Sequence, residues 1–401
     1  MEENNSDNLE NRMMEDDQHL PHDVVFEDKS YLLPKEFKWC HIARAICLIA
    51  LVIQSLRLTP DSLIYFCATF SLTALFFVEG FSYNNDLTLG ELASKKALTL
   101  LVPVLFSSLI YMGVERILGV YHQPFGEELL NVFLQTRGRG ATWLWYVVCL
   151  FVAYIMFYGI LKIKKDKTKL IVSGICALVG VLYSIYAPSI SNFNGNTLPW
   201  HIDVALVAVF LMTLGYLIKK KGYLEKILAK YKKKELYVFA LLVVVFCLGV
   251  SIINRNQFHT SITLGNYGDI FIWVPFSFAT GILTVVLLSN VIKENKITTF
   301  ISKHFIAILV FLKPMQMLLD RAIYEIGIAE YVSKYEMVQT LFILVEAVVL
   351  LAVLALLAVV TEKLLPFILG KWYKSSDEVL NDEESLNDES YNEAAYNELD
   401  N

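Results

Sequence analysis

The sequence predicts an all-α integral membrane protein with about ten transmembrane helices. Hydrophobic residues make up 56% of the 401-residue chain and charged residues only 18%, whereas soluble domains are about 45–50% apolar. Many of the apolar residues stand in runs of about 20, the length of helix that crosses the hydrocarbon core of a bilayer. Lysines cluster between alternate runs, which is the pattern expected of loops on the cytoplasmic side.

Ten segments are predicted to span the membrane, with mostly short loops between them. Their approximate ranges are 39–56, 62–81, 97–117, 142–161, 169–187, 199–218, 235–253, 269–291, 299–319 and 337–360. The stretch 120–137 has a mixed polar and apolar pattern, so we expect a loop or a short helix along the membrane interface there.

The distribution of basic residues predicts that both chain termini lie in the cytoplasm. If the N-terminus is inside, the inner loops carry eighteen lysines, and the outer loops carry six arginines and one lysine. This bias holds along the whole chain, so we expect a multi-pass protein of the cell membrane. Eight of the inner lysines lie between 219 and 234; they follow from the same rule, although such a group also attracts anionic lipid or an anionic cofactor.

Both ends of the chain are predicted to be disordered acidic tails. Residues 1–38 carry a net charge of −7 and residues 375–401 carry −10, so the segment between them carries +11 within a total of −6. The tails are rich in Asp, Glu, Asn and Ser and lack the apolar residues needed to pack. The predicted organisation is a tail at 1–38, a ten-helix membrane domain at 39–374 and a tail at 375–401. The tails act as solvated spacers or bind a partner.

The sequence contains no signature of a metal site, a permanently bound cofactor or nucleic-acid binding. The six cysteines lie in or beside apolar runs without metal-binding spacing, so we expect them to be buried and not to form disulfides. There is no phosphate-binding glycine loop and no Gly-x-Ser-x-Gly elbow, and the basic loops lack aromatic residues that would stack on bases. These features are compatible with three kinds of membrane protein: a transporter, an enzyme or a scaffold.

A single cation, Arg44, lies inside the first apolar segment, where a charge is expensive to bury. With a rise of about 1.5 Å per residue, Arg44 and Glu79 of the second segment fall at similar depths near the cytoplasmic side. We therefore expect the two side chains to pair or to line a pocket, unless both reach out to the interface.

A second pair of charges is predicted nearer the outer face. Lys313 precedes Pro314 in the ninth segment, and Glu346 lies in the tenth. Each would be costly against lipid, so we expect both to point inward and to form a buried ion pair. The role of such a pair is structural or catalytic.

A third polar group begins the sixth segment. Trp200 is typical of a membrane interface, and His201 and Asp203 follow it. Side chains two residues apart on a helix do not face each other, but either one can face a cavity. A histidine at an interface is more often simply solvated, so Asp203 is the stronger functional candidate.

Four regions of the chain contain motifs that occur in the same order in a known family. They are TALFFVEGFSYN with ASKKALTLLVPVLFSSLIY (73–84 and 93–111), TWLWYVVCLFVAYI (142–155), LPWHIDVALVAVFLMTLGYLIKK (198–220) and FISKHFIAILVFLKP (300–314). They resemble membrane acyltransferase family 3, the third region most closely, since the family has LPWYLDTALLALPFFLLGYLLKK there. The resemblance covers about 39–365 and includes the ten-span layout.

The resemblance implies transfer of an acyl group, usually acetyl from acetyl-CoA, onto a hydroxyl of a surface polysaccharide or a related acceptor. In the family, the first span has a basic residue followed after ten residues by a histidine. Arg44 takes the basic position, but Ser55 stands where the histidine is expected, whereas Asp203 matches the family pattern. The residues expected to hold the anionic donor are Arg44, Glu79, Lys95 and Lys96.

Three functions follow from this partial match. The preferred one is an acyltransferase that uses acyl-CoA as donor, with a shifted base at His201 or His41, Asp203 in the site and Ser55 as a candidate acyl acceptor. Its partners would be the lipid bilayer, acyl-CoA and a cell-envelope carbohydrate. The second function is a catalytically degenerate partner or regulator in surface-polysaccharide modification. The third is a transporter of a lipid-linked or acyl-bearing molecule.

Overall fold

The computed structural model describes residues 37–84, 87–120, 123–135, 144–190, 198–262, 267, 272–332 and 334–371. The predicted C-terminal tail, and the N-terminal tail up to residue 36, lie outside these residues. The described residues form fifteen α-helices. They are α1 (Lys38–Ser55), α2 (Asp61–Ser82), α3 (Leu89–Lys96), α4 (Val102–Ile117), α5 (Phe125–Leu134), α6 (Trp145–Leu161), α7 (Asp166–Ile190), α8 (Ile202–Lys220), α9 (Tyr223–Leu228), α10 (Lys233–Ile253), α11 (Trp273–Val291), α12 (Lys296–Lys303), α13 (Phe305–Ile326), α14 (Ile328–Val332) and α15 (Glu336–Leu364).

Eight helical stretches in this part of the chain are long and apolar enough to cross a membrane. They are Lys38–Ser55, Asp61–Ser82, Leu89–Ile117, Asp166–Tyr186, Pro199–Lys220, Lys233–Phe258, Trp273–Val291 and Glu336–Leu364. The other two predicted spans also coincide with helices but differ in character. Helix α6 is apolar but has 17 residues, and α13 carries four charged residues along its 22. The described part of the chain is therefore all-helical, with eight candidate spans.

Helix α2 lies at the centre of the bundle, where it contacts α1, α8, α10 and α11. Its packing on α8 depends on glycine in both helices. A Cβ added to Gly80 would lie 2.0 Å from the carbonyl oxygen of Met212, and one added to Gly215 would lie 2.1 Å from that of Phe77. Absence of a side chain at both positions thus lets the two backbones touch, as small residues do in membrane helix pairs.

Short helices flank the long ones. Helix α5 lies within the mixed stretch 120–137, where a loop or a short helix was expected. Helix α12 begins at a capping box, in which the Asn295 side chain accepts from the backbone amides of Ile297 and Thr298. The chain then breaks at His304 before α13 starts. The predicted ninth segment 299–319 is thus two helices rather than one.

All six cysteines are free, and all but the partly exposed Cys176 are buried.

Candidate functional site

Arg44 and Glu79 form an ion pair between α1 and α2. Arg44 Nε donates to Glu79 Oε1 at 2.8 Å, and Arg44 Nη2 donates to Ser82 Oγ at 2.8 Å. The Arg44 and Glu79 side chains are only 13% and 14% exposed. Glu79 and Ser82 are three residues apart, so they lie on the same face of α2 and hold the guanidinium from two sides. The alternative in which both charges reach out to the interface is thereby excluded.

A tyrosine and a lysine complete this group, which we call the Arg44 cluster: Arg44, Glu79, Ser82, Lys96 and Tyr154. The phenol of Tyr154, on α6, donates to Glu79 Oε2 at 2.5 Å. Both carboxylate oxygens of Glu79 thus accept a hydrogen bond, which is what a buried carboxylate requires. Lys96, at the end of α3, places its Nζ 4.3 Å from the centre of the Tyr154 ring and attracts the Glu79 carboxylate.

Further basic side chains surround the Arg44 cluster at this end of the bundle. Lys219 Nζ, at the end of α8, donates to the carbonyl oxygen of Tyr83 at 3.1 Å and to Asn84 Oδ1 at 3.2 Å. Lys95 neighbours Lys96 in α3 and is partly exposed. Two of the four expected donor-binding residues, Arg44 and Glu79, are therefore in direct contact, and Lys96 adjoins them through Tyr154.

Ser55 and its neighbour Gln54 lie at the C-terminal end of α1, whereas Arg44 lies near its start. Ser55 Oγ donates to the carbonyl oxygen of Val52 at 2.7 Å, within its own helix. Gln54 Nε2 donates to Ser71 Oγ of α2 at 2.9 Å. The hydroxyl of Ser55 is thus turned back on the backbone, a common arrangement for serine in helices, and no base adjoins it in the described part of the chain.

The predicted ion pair between Lys313 and Glu346 is wrong. Lys313 Nζ donates instead to Gln316 Oε1 at 2.8 Å, and Gln316 Nε2 donates to Asp320 Oδ2 at 3.2 Å. Glu346 is buried on α15, and among the described residues neither of its carboxylate oxygens has a hydrogen-bond partner. Lys313 thus bonds to a residue of its own helix, and Gln316 in turn bonds to Asp320, because residues three and four positions apart share a face of a helix.

His201 and Asp203 are both completely buried at the start of α8. The expectation of a solvated histidine is therefore wrong. The His201 ring lies 4.9 Å from the Trp145 ring between centroids, and Ser184 Oγ donates to Asp203 Oδ2 at 3.4 Å. The left-handed backbone of residues 200 and 201, with φ of 60° and 53°, turns the histidine inward. Trp200 remains at the surface, where its indole donates to the carbonyl oxygen of Phe133 at 2.8 Å.

Two histidine contacts near the start of α1 were not predicted. His41 Nδ1 lies 3.0 Å from Ser302 Oγ, on α12. His304 Nε2 lies 2.6 Å from Glu362 Oε2, near the end of α15, and His304 Nδ1 lies 2.9 Å from the carbonyl oxygen of Phe300. The partners in each interhelical contact are far apart in the chain, so local sequence patterns do not show that they meet.

These two histidines differ in what they can do. Both ring nitrogens of His304 are occupied by acceptors, so the ring serves to tie α12 and α13 to α15. The Nε2 of His41 has no such partner among the described residues, so its imidazole is able to exchange a proton. One turn before His41, Lys38 pairs with Glu294 at 2.7 Å, and the hydrogen bond from this ammonium lowers the pKa of the Glu294 carboxyl.

The geometry combines a buried guanidinium, nearby ammonium groups and a serine–imidazole pair at one end of the bundle. Among the described residues, Arg44 donates through Nε and Nη2, which leaves the N–H groups of Nη1 for an anionic or carbonyl oxygen. Within the described residues, no group of three or more His, Cys, Asp or Glu side chains is placed to hold a metal ion. The guanidinium and ammonium groups suit an anionic substrate, and the serine–imidazole pair suits a substrate whose reacting group is polar.

Comparison with known proteins identifies the family. The family model of acyltransferase 3, described as an acyltransferase domain, matches residues 37–362. Searches of curated proteins and of solved structures find no match. The matched range contains the Arg44 cluster, His41, Ser302 and every candidate site residue named above. The chain therefore belongs to the acyltransferase 3 family of membrane acyltransferases.

Proposed function

We propose that the protein transfers an acyl group, in the first instance acetyl, from acyl-CoA to a hydroxyl of a cell-envelope carbohydrate. Arg44 is the observation that carries this proposal. A membrane protein retains a buried cation only with a partner or for a function. Arg44 has its partner, Glu79, and still has N–H groups available. We place the protein in the cell membrane with both termini in the cytoplasm, so that the Arg44 cluster faces the pool of acyl-CoA.

The charge around the Arg44 cluster supports an anionic donor. Glu79 offsets the charge of Arg44, and Lys96 and Lys219 then leave this end of the bundle positive. The phosphate groups of CoA are recognised by such groups, with arginine supplying paired donors and lysine a point charge. Lys95 and the lysines that follow α8 extend the same positive surface.

The Arg44 cluster is also preorganised for its role. Glu79 and Ser82 fix the guanidinium, and Tyr154 fixes Glu79, so little reorganisation is needed when substrate arrives. Fixed donors stabilise the negative charge that develops on a thioester oxygen during acyl transfer. Arg44 is accordingly proposed to bind the donor, and Lys96 and Tyr154 to position the cluster.

Ser55 favours a second candidate function. The histidine expected at this position is missing, and the serine hydroxyl is bonded to its own helix. A family member without that imidazole can serve as a partner or regulator of another enzyme in surface-polysaccharide modification. A transporter of an acyl-bearing molecule is the third outcome, in which substrate crosses the membrane without acylation.

Labelled acyl transfer distinguishes these functions. Membranes containing the protein are incubated with radiolabelled acetyl-CoA, and label is measured in the envelope carbohydrate fraction. The test variant is the double substitution Arg44→Met with Glu79→Gln, which removes both charges of the pair together. The matched control is Arg321→Gln, because Arg321 is an exposed arginine on α13 that pairs with Glu325 in its own helix.

Transfer by the wild type and by the Arg321 variant is expected, with a loss of roughly 100-fold or more in the double variant, the usual effect of removing a charge-stabilising donor. Label no higher than in membranes that lack the protein would contradict the proposal of an enzyme and favour the proposal of a regulator. Substrate flux without label would favour the transporter. Undiminished transfer by the double variant would show that Arg44 is not part of the site.

A further inference from the structure

His41 and Ser302 bring an imidazole and a hydroxyl into contact at the start of α1. The distance from His41 Nδ1 to Ser302 Oγ is 3.0 Å, and the two residues are 7% and 8% exposed. A nucleophile and its base are recognised by such a distance, about 2.6–3.2 Å. The small exposed fraction of each residue means that the contact is sheltered from bulk solvent.

The pair is continuous with the Arg44 cluster. His41 lies three residues before Arg44, and Lys38 lies three residues before His41, so each side chain neighbours the next in a stripe along α1. Lys38 is held by Glu294, and Glu294 Oε1 also accepts from Thr299 Oγ1 at 3.3 Å. Ser302 lies one turn further along α12. The stripe on α1 thus joins the serine–imidazole pair to the proposed donor site.

We propose that Ser302 is an acyl-accepting nucleophile and that His41 is its base, so that transfer passes through an acyl-serine intermediate. This inference rests on the proposed function, since it requires an acyl thioester as donor. It also explains how transfer proceeds in a chain that has Ser55 in place of a first-span histidine. The base is at the other end of the same helix.

The first half of the reaction consumes the thioester. Ser302 Oγ attacks the carbonyl carbon, and His41 Nδ1 takes the hydroxyl proton, with the ring's own proton on Nε2. The carbon–sulfur bond then breaks, and the proton passes from His41 to the departing thiolate. The products are acyl-Ser302 and free CoA thiol. Arg44, one turn along α1, supplies positive charge beside the forming oxyanion.

The second half regenerates the serine. The acceptor hydroxyl attacks the ester carbon of acyl-Ser302 while His41 Nδ1 takes its proton. The bond from carbon to Ser302 Oγ breaks, and the proton returns from His41 to Oγ. The acyl group leaves as an ester of the acceptor, and no oxidant or further co-reactant is needed.

Trapping the intermediate tests the proposal. The full-length protein, purified without carbohydrate acceptor, is mixed with radiolabelled acetyl-CoA and quenched in acid, and the labelled peptide is identified by mass spectrometry. The expected result is acetyl on Ser302, as an ester that resists neutral hydroxylamine. In Ser302→Cys the label should move to a thioester, which neutral hydroxylamine cleaves.

Two variants separate chemistry from folding. His41→Asn retains a polar atom near the Nδ1 position but no base, so acetyl-Ser302 should form roughly 100-fold more slowly or worse. Thr340→Val is the control, because the Thr340 hydroxyl donates to the carbonyl oxygen of Glu336 within its own helix, α15, and the residue belongs neither to the stripe on α1 nor to the serine–imidazole pair. Labelling in this control should equal that of the wild type.

The outcomes distinguish this inference from the proposed function. If Ser302→Ala still transfers acetyl to carbohydrate at the wild-type rate, or if no label appears on Ser302 in the wild type, the acyl-serine intermediate is refuted. Arg44-dependent transfer would then leave the proposed function intact. Unchanged label chemistry in Ser302→Cys would equally overturn the assignment of Ser302.

Discussion

Glu79→Gln is the substitution from which we expect the largest effect on stability. The amide cannot neutralise Arg44, whose side chain is only 13% exposed, so a cation is left inside the bundle. Removing one partner of a buried ion pair costs about 3–5 kcal/mol of unfolding free energy. At the lower value, the midpoint of thermal unfolding falls by less than the roughly 6–12 °C expected for a domain of 150–250 residues, because the entropy of unfolding grows with chain length.

Two further variants show whether the loss of stability comes from the ion pair between Arg44 and Glu79. Arg44→Met together with Glu79→Gln removes both charges, and the amide oxygen introduced by the second substitution can still accept from Tyr154. We expect the double variant to lie within about 1 kcal/mol of the wild type, since apolar replacement of a whole buried pair is often neutral. Tyr154→Phe removes a hydrogen bond to a charged group and should cost about 1.5–3 kcal/mol.

Thermal unfolding of the purified protein in detergent, followed by tryptophan fluorescence, measures these changes. Glu325→Gln is the control, because its pair with Arg321 is exposed and such pairs contribute about 0–1 kcal/mol. A double variant no more stable than Glu79→Gln would refute the reasoning, as would a midpoint for Glu79→Gln that matches the control. Either result would mean that the loss does not come from leaving Arg44 without its partner.

Three further predictions concern packing and burial, each measured by the same unfolding assay. Glu346→Leu should stabilise the protein by about 1–3 kcal/mol, because it removes a buried carboxyl whose oxygens have no hydrogen-bond partner among the described residues. Glu336→Leu, exposed on the same helix, should change stability by less than about 0.5 kcal/mol; a loss of stability in Glu346→Leu would contradict this. Gly281→Ala should lower the midpoint strongly, since the new Cβ would lie 2.2 Å from a backbone oxygen of α2. Gly249→Ala, whose new Cβ would have nothing within 4 Å, should leave the midpoint unchanged or raise it. Equal shifts in the two variants would refute the close contact at Gly281. His304→Leu removes a hydrogen bond to the Glu362 carboxylate, which keeps its pair with Lys371, and should cost about 1.5–3 kcal/mol. An unchanged midpoint would show that the contact between His304 and α15 contributes nothing.

The positions of the helices could be predicted from the sequence because hydropathy alone sets them. Each predicted span coincides with a described helix or pair of helices. The break at His304 could not be predicted, because 299–319 is largely apolar and long enough to be one continuous helix. At the break, His304 contacts Glu362 near the far end of α15, a tertiary contact that the local sequence does not show.

Depth in the membrane was informative for one pair of charges and misleading for the other. Arg44 and Glu79 fall at the same depth and also face each other. Lys313 and Glu346 satisfy the same depth criterion, but depth carries no information about the direction in which a side chain leaves its helix. Gln316, one turn from Lys313, is a closer partner than anything on α15.

The contact of His41 and the burial of His201 could not be predicted from the sequence, for two different reasons. His41 was a candidate base, yet its partner Ser302 is 261 residues away, and nothing in the sequence shows that the two meet. His201 was expected at the surface because it begins a span. Its burial depends on a left-handed backbone at residues 200 and 201, which non-glycine residues adopt rarely.

Equilibrium binding of CoA to the purified protein tests the central claim, that the Arg44 cluster holds the donor. Calorimetric titration should compare the wild type with the variant carrying both Arg44→Met and Glu79→Gln, whose fold is expected to be intact. The account predicts binding at least roughly 10-fold weaker in the variant, equivalent to about 1.4 kcal/mol. Equal affinities in the two proteins would contradict it.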